Sequence, residues 1–364
     1  MDKVKRIVKN IPIPCRVIYC VFFAAILFHI SFALSADFAE FYRSTLGAFF
    51  RAVLAGITSP FPISIAEILI VTLPITVTVL IVYIMKSDGE FESFVRIISG
   101  VASVLTLVYS LFTLTFAAGF YTEDIGKSFG IERRDITVDE LYSATLRTAE
   151  GVNEAYRQLD GRGPEYTTMG MSYSELSEKV LDSFDSLSDE YGFPVTFRSR
   201  VKPVVFSVPM TYTHVSGVYT YITGEANMNV NYPDFVIPYT AAHEMSHQRG
   251  VSREDEANFV AFLACVESED PYIRYSGYLN MYQYMASALS SVDPERYAEV
   301  FYTLDRGVVN ELISYSGFFD RYRDNIAASI SDAVNDTYLN IMSGTDSRSY
   351  GMVVDLASLY LIDG

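Results

Sequence analysis

The chain has no tryptophan, three cysteines and four histidines in 364 residues, and its 44 acidic residues outnumber 27 lysines and arginines. Each scarcity excludes something. Cys15, Cys20 and Cys265 show neither the spacing of a zinc knuckle nor that of a disulfide framework. They read as small buried apolar side chains, and a chain without disulfides is compatible with either side of a membrane. A formal charge of −17 excludes the basic stripe that a nucleic-acid partner requires. The missing tryptophan, beside abundant tyrosine and phenylalanine, carries no functional reading. No internal repeat or low-complexity tract is present.

What is present is apolar residues, half of the chain, gathered into three long runs before residue 121. Residues 15–35 carry no charge after Arg16, and residues 65–85 and 97–118 form two further runs. A helix of about 20 residues rises about 30 Å, enough to cross the hydrocarbon core of a bilayer. Pro74 lies inside the second run, where membrane helices tolerate it when neighbours satisfy the freed carbonyl. A cleaved signal peptide is disfavoured by the length of the first run and by the two spans that follow. Lys3, Lys5, Arg6, Lys9 and Arg16 precede the first span, which predicts a cytoplasmic N-terminus. Lys86 and Arg96 flank the second loop, predicted to be cytoplasmic too, although Asp88, Glu90 and Glu92 share it. Residues 1–120 are therefore expected to anchor the chain in the cell membrane, with the lipid bilayer as partner. Residues 121–364 are expected to form an extracytoplasmic domain. Residues 40–56 are amphipathic, and either lie along the outer membrane surface or pack on the spans.

Beyond Thr122 the composition is that of a soluble domain. Helices are predicted over 136–159, with Thr137 and Glu140 as a capping pair, and over 173–191. Residues 195–232 alternate and are rich in β-branched and aromatic types, as strands are, with a Gly224-Glu225 turn inside. Helical patterns follow at 239–248, 253–267, 271–290, 294–315 and 318–341. The Met and Tyr stripes of 271–290 read as core packing. The predicted fold class is N-terminal transmembrane helices followed by an α+β domain, mainly helical with a small antiparallel sheet.

The chemistry concentrates in His243-Glu244-Met245-Ser246-His247. On a helix, residues four apart share one face, so both imidazoles can reach one metal ion. Glu244 projects to the side of that face, where it can take a proton from water rather than bind metal. This is the H-E-x-x-H arrangement of zinc peptidases. Two of the chain's four histidines are in it. Zinc needs a third protein ligand and a position for water. The metzincin pattern would place a His where Arg253 stands, so that reading fails. Gly250 can end the first helix with positive φ, and Ser252 can cap the next, with Asp255 three residues later. The chain then turns back and brings Glu254 to the metal as third ligand, with Glu256 as the alternative. Asn258, one turn on, can orient a ligating imidazole.

Arg253-Glu254-Asp255-Glu256-Ala257-Asn258 resembles the R-E-x-x-A-D segment of membrane gluzincins, the heat-shock and prenyl-protein membrane peptidases. In those proteins the first Glu binds zinc, which maps onto Glu254. Asn258 stands in place of their Asp, and the gap between the two motifs is much shorter. The whole chain also resembles an uncharacterised bacterial family of three-span membrane proteins with a zincin-like domain. The matching parts are the H-E-M-x-H-Q-x-G turn, E-D-E-A-N, Thr223 to Asn227, and Ser349 to Leu356. These resemblances imply a zincin-like metallopeptidase fold with Zn2+ as cofactor. The chemistry implied is hydrolysis of a protein or peptide outside the cytoplasm, with Glu244 as general base. The alternative is a catalytically silent zincin-fold envelope protein that binds or senses. An intramembrane protease is disfavoured, because no apolar run of membrane length surrounds His243. Candidate oxyanion donors are His214 and Tyr or Arg residues of the C-terminal helices. Of these, His214 reads first as a structural histidine and only second as a catalytic one. In zincins a strand before the motif helix pairs with substrate, a role open to Tyr219–Tyr232.

Overall fold

The computed structural model describes residues 2–86, 90–191, 197–323, 325–343 and 349–363. The N-terminal part holds α1 (Asp2–Asn10), α2 (Ile13–Leu34), α3 (Ala36–Tyr42), α4 (Ala48–Thr58), α5 (Ile65–Met85) and α6 (Phe91–Thr115). Of these, α2, α5 and α6 are long and apolar enough to cross a membrane. They coincide with the three apolar runs, but α6 starts earlier than the run at 97–118 and stops at Thr115. Asp88, in the loop before it, lies outside the described residues. α2 and α6 pack together around polar contacts. The His29 ring lies 2.7 Å from the Tyr109 hydroxyl and 3.0 Å from that of Tyr121, and Tyr19 donates to the Ser99 carbonyl. In α5 only Ala66 is buried, and the helix accommodates Pro74 without breaking. Cys15 and Cys265 are buried as expected, whereas Cys20 sits on the exposed face of α2.

Between the spans, α3 runs through a π-helical turn (Arg43–Gly47) into α4. This segment is inside-out: Arg43 and Arg51 are buried, while Phe41, Phe49, Val53 and Ile57 are exposed. Arg51 donates to the carbonyls of Thr115, Arg43 and Arg249, so its buried charge is spent on three backbone oxygens. Tyr42 donates to the Leu114 carbonyl. The segment therefore packs on the end of α6, and it also touches the second half of the chain.

That second half begins with α7 (Val138–Arg157) and α8 (Tyr173–Tyr191). Thr137 and Glu140 form the predicted capping box. Residues 195–196 lie outside the described residues. The strand expected from there shrinks to β1 (Val201–Pro203), because the chain turns after Pro203 into the short helix α9 (Ser207–Thr211). β2 (Gly217–Thr220) and β3 (Glu225–Met228) form a hairpin whose turn closes at Gly224, with φ of +70°. The sheet order is β1-β3-β2. β2 pairs antiparallel to β3, but β1 pairs parallel to it, so the sheet is mixed. A hairpin enforces antiparallel pairing only on its own two strands, and the connection through α9 and β2 lets β1 run the other way.

Among the described residues seven helices follow: α10 (Val236–Gln248), α11 (Glu254–Val266), α12 (Pro271–Val292), α13 (Pro294–Phe301), α14 (Arg306–Phe319), α15 (Ile326–Ser343) and α16 (Ser349–Asp363). The helix expected over 294–315 is broken between α13 and α14, where Asp305 turns aside to pair with Arg157. The next begins at Ile326 rather than 318. α11 is the central rod, with Phe259, Val260, Phe262 and Leu263 fully buried against α10, α12 and α16. Tyr275, Leu279, Met281 and Met285 of α12 are core, as read from the sequence. A rod buried on every side holds its first turn in a fixed place, and that turn carries Glu254.

Candidate metal centre

α10 ends at Gln248, and Gly250 adopts φ of +92°. A β-carbon there would lie 2.7 Å from the Arg51 guanidinium, so both conformation and space require glycine. The reversed chain enters α11 at Glu254, which faces the two histidines of α10. One Glu254 carboxylate oxygen lies 3.3 Å from His243 Nε2 and the other 3.5 Å from His247 Nε2. The two imidazole rings stand nearly perpendicular, 4.6 Å apart between centroids. Donor atoms of all three side chains lie within 4.8 Å of one another.

These distances fit a cation. Ligand atoms about 2.1 Å from a tetrahedral zinc ion are about 3.4 Å apart. His247 Nδ1 lies 2.7 Å from the Val251 carbonyl, so Nδ1 donates there, and it is the neutral ring whose Nε2 lone pair faces the shared point. Burial lowers the His247 pKa, but Glu254 outweighs that and raises it to about 9. Burial likewise pushes the Glu254 carboxyl up, yet the two imidazoles override it and hold it well below the usual carboxylate range. Positive charge between these side chains is thus favoured, and without a metal ion a proton on His247 supplies it. Two nitrogens and one carboxylate oxygen suit zinc. The site opens on its Glu254 side, where the side chain is about one-third exposed, whereas His247 is buried.

Glu244 stands beside the three. It is buried, and burial pushes its pKa up against the opposing pull of His243 and His247. The Tyr219 backbone of β2 also favours its charged form, as the smallest of these influences. Gly217 makes room for it: a β-carbon there would come within 2.6 Å of the Glu244 carboxylate.

The alternatives raised by the sequence separate here. Glu256 points away from the imidazoles. It accepts from the Ile125 backbone N–H at 3.1 Å, and burial raises its pKa to about 7. Arg253 lies within ion-pair distance of Asp255 and Glu256. Asn258 accepts from the Tyr239 hydroxyl at 3.2 Å, and no hydrogen bond joins it to either imidazole among the described contacts. The cap expected of Ser252 is not formed. α11 has Arg253 at its N-cap with no side-chain bond, and Ser252 donates to the Phe116 carbonyl at 2.6 Å. Three acidic residues in the first turn favour the helix start instead, and Asp255 binds Arg133. His214, with φ of +58°, is 2.8 Å from the Tyr322 carbonyl and packs on Phe319, outside the triad.

Three contributors have no signal in the motif. Val251 acts through its carbonyl, and Gly217 through absence of a side chain. Phe116, at the end of α6, sets its ring edge-on to His247, 5.7 Å away. No curated protein and no solved structure matches the chain. A family profile matches residues 42–358, from the end of α3 into α16, with the whole His243, His247 and Glu254 group inside. On that match the chain belongs to the family described as "Protein of unknown function (DUF3810)".

Proposed function

We propose that this protein is a membrane-anchored zinc-dependent peptidase acting outside the cytoplasm. The observation that carries the reading is a two-histidine, one-carboxylate cluster with a second, buried carboxylate, Glu244, next to it on the helix of the two histidines. His243, His247 and Glu254 would hold the ion, and the Val251 carbonyl fixes the His247 ring. A zinc ion held there supplies Lewis acidity and brings the pKa of water toward about 7. Glu244 takes the proton of the attacking water and delivers it to the leaving amine. A raised pKa suits a carboxylate that must hold that proton between the two steps. The basic N-terminal cluster supports a cytoplasmic start, and three spans then carry the centre to the opposite face.

The test uses the full chain in detergent, with zinc content and hydrolysis of a quenched-fluorescence peptide library measured together. Glu244→Gln is expected to keep zinc at the wild-type level and to lose activity by roughly 10²–10⁴-fold. A wild-type protein that holds zinc and cleaves no peptide would reject the peptidase reading in favour of a binding or sensing role.

A further inference from the structure

Residues 203–224, which include α9 and β2, contain no Asp, Glu, Lys or Arg. Within them the usual order of burial is reversed. Val205 is 73% exposed, and Phe206, Val208 and Tyr212 also face outward. Ser207 and Thr211, the polar residues of α9, are buried. Ser207 accepts from the Val230 backbone N–H, and Asn229 and Asn231 donate to Thr211, so the inward polar groups are satisfied within the protein. A water-facing helix does the opposite, turning polar residues out and apolar residues in.

The position of this segment says what covers it. The backbone N–H groups of Val205 and Phe206 donate to the carboxylate of Glu67, at 3.0 and 2.7 Å. Glu67 lies in the first turn of α5. α5 has 21 residues, which rise about 31 Å against a hydrocarbon core of about 30 Å. Nearly its whole length is needed to span, so its first turn lies at the level where water gives way to lipid. Ile68, Leu69 and Ile70 of α5 are exposed directly below that turn. We propose that the outward face of residues 205–212 is seated in the lipid interface beside α5. Edge strand β2, whose Gly217 lies against Glu244, then lies at the bilayer surface. The inference is independent of whether the metal centre hydrolyses anything.

Because the chain has no tryptophan, a single substitution gives an unmixed fluorescence reporter. Phe206→Trp and Val208→Trp replace outward-facing side chains, so neither disturbs the core. Each is placed in phosphatidylcholine vesicles, with and without bromine at the shallow acyl positions. Tyr302→Trp, in the turn after α13, serves as the exposed control. Both reporters are expected to emit at shorter wavelength than the control and to lose most of their emission in the brominated lipid. Emission at the wavelength of hydrated indole, unchanged by bromine, would overturn the proposal. So would a shortened wavelength that ignores bromine and disappears on dilution, which would instead mean that a second copy covers the face.

Discussion

Glu254 and Glu256 stand two residues apart in the first turn of α11, about 200° around the helix from each other. That rotation decides their surroundings. Glu254 meets two imidazoles, whereas Glu256 meets the Ile125 N–H in a buried pocket. In the full chain, Glu254→Ala is expected to purify with little zinc, and Glu256→Ala with as much as the wild type, by elemental analysis. Glu256→Ala should instead cost roughly 1–3 kcal/mol of stability, because a buried N–H loses its acceptor. Loss of metal in the Glu256 variant alone would reverse the assignment. At this scale the sequence was legible wherever a side chain acts through helical spacing, as with His243, Glu244 and His247. Spacing alone left Glu254 and Glu256 as alternatives, and it held no trace of Val251 or Gly217. A backbone carbonyl and a missing β-carbon leave no mark in a residue pattern, and they matter only once β2 and α10 meet.

Among the elements, the least expected joint is between the sheet and the second apolar helix. Lys202 of β1 and Glu225 of β3 form a buried ion pair of 2.6 Å. Lys202 also donates to the Thr58 carbonyl, and Glu225 accepts from the backbone N–H groups of Ile65 and Ala66. Glu225 thus satisfies the start of α5 together with Ser64, the helix cap, and places negative charge at the positive end of the helix. Lys202→Met leaves that carboxylate buried without its cation, which typically costs about 3–5 kcal/mol. Thermal denaturation in detergent should show a clear drop in midpoint. Lys202→Met combined with Glu225→Gln should recover part of it, because no bare charge then remains. An unchanged midpoint in the single variant would show that the pair is solvated. The sequence reading placed a turn at Gly224-Glu225; the turn closes at Gly224, and Glu225 already pairs as the first residue of β3. Capping of a helix some 160 positions earlier was beyond any local pattern. The Thr137 box was readable because both partners are three residues apart, whereas Ser252 is drawn off by Phe116, far away in the chain.

Across the whole molecule, the three apolar helices were the easiest feature to foresee, since span length and lack of charge follow directly from bilayer thickness. The sheet was harder. Its strands are three or four residues long, and its parallel pair depends on a connection that alternation does not record. The division into an anchor of residues 1–120 and a domain of 121–364 remains our proposal. α4 bears on Gly224, and Arg51 on Gly250, so the two parts share a tightly packed seam. A reporter fused after Gly130 is expected to be active only outside the cytoplasm. Activity confined to the cytoplasm would place the metal centre on the other face and change its substrate pool.

The ring of Phe116 against His247 has a geometric consequence. α6 ends one residue before Phe116, and no flexible stalk separates that helix from the metal ligand it touches. The height of the centre above the lipid is therefore set by the protein and does not fluctuate with a linker. A chain rooted in the same leaflet spans at most about 3.3–3.6 Å per residue, so that height sets the smallest number of residues that can lie between its root and the centre. A peptidase centre seated in this way, as proposed above, would set a minimum distance, counted in residues from the membrane, at which such a chain is cut.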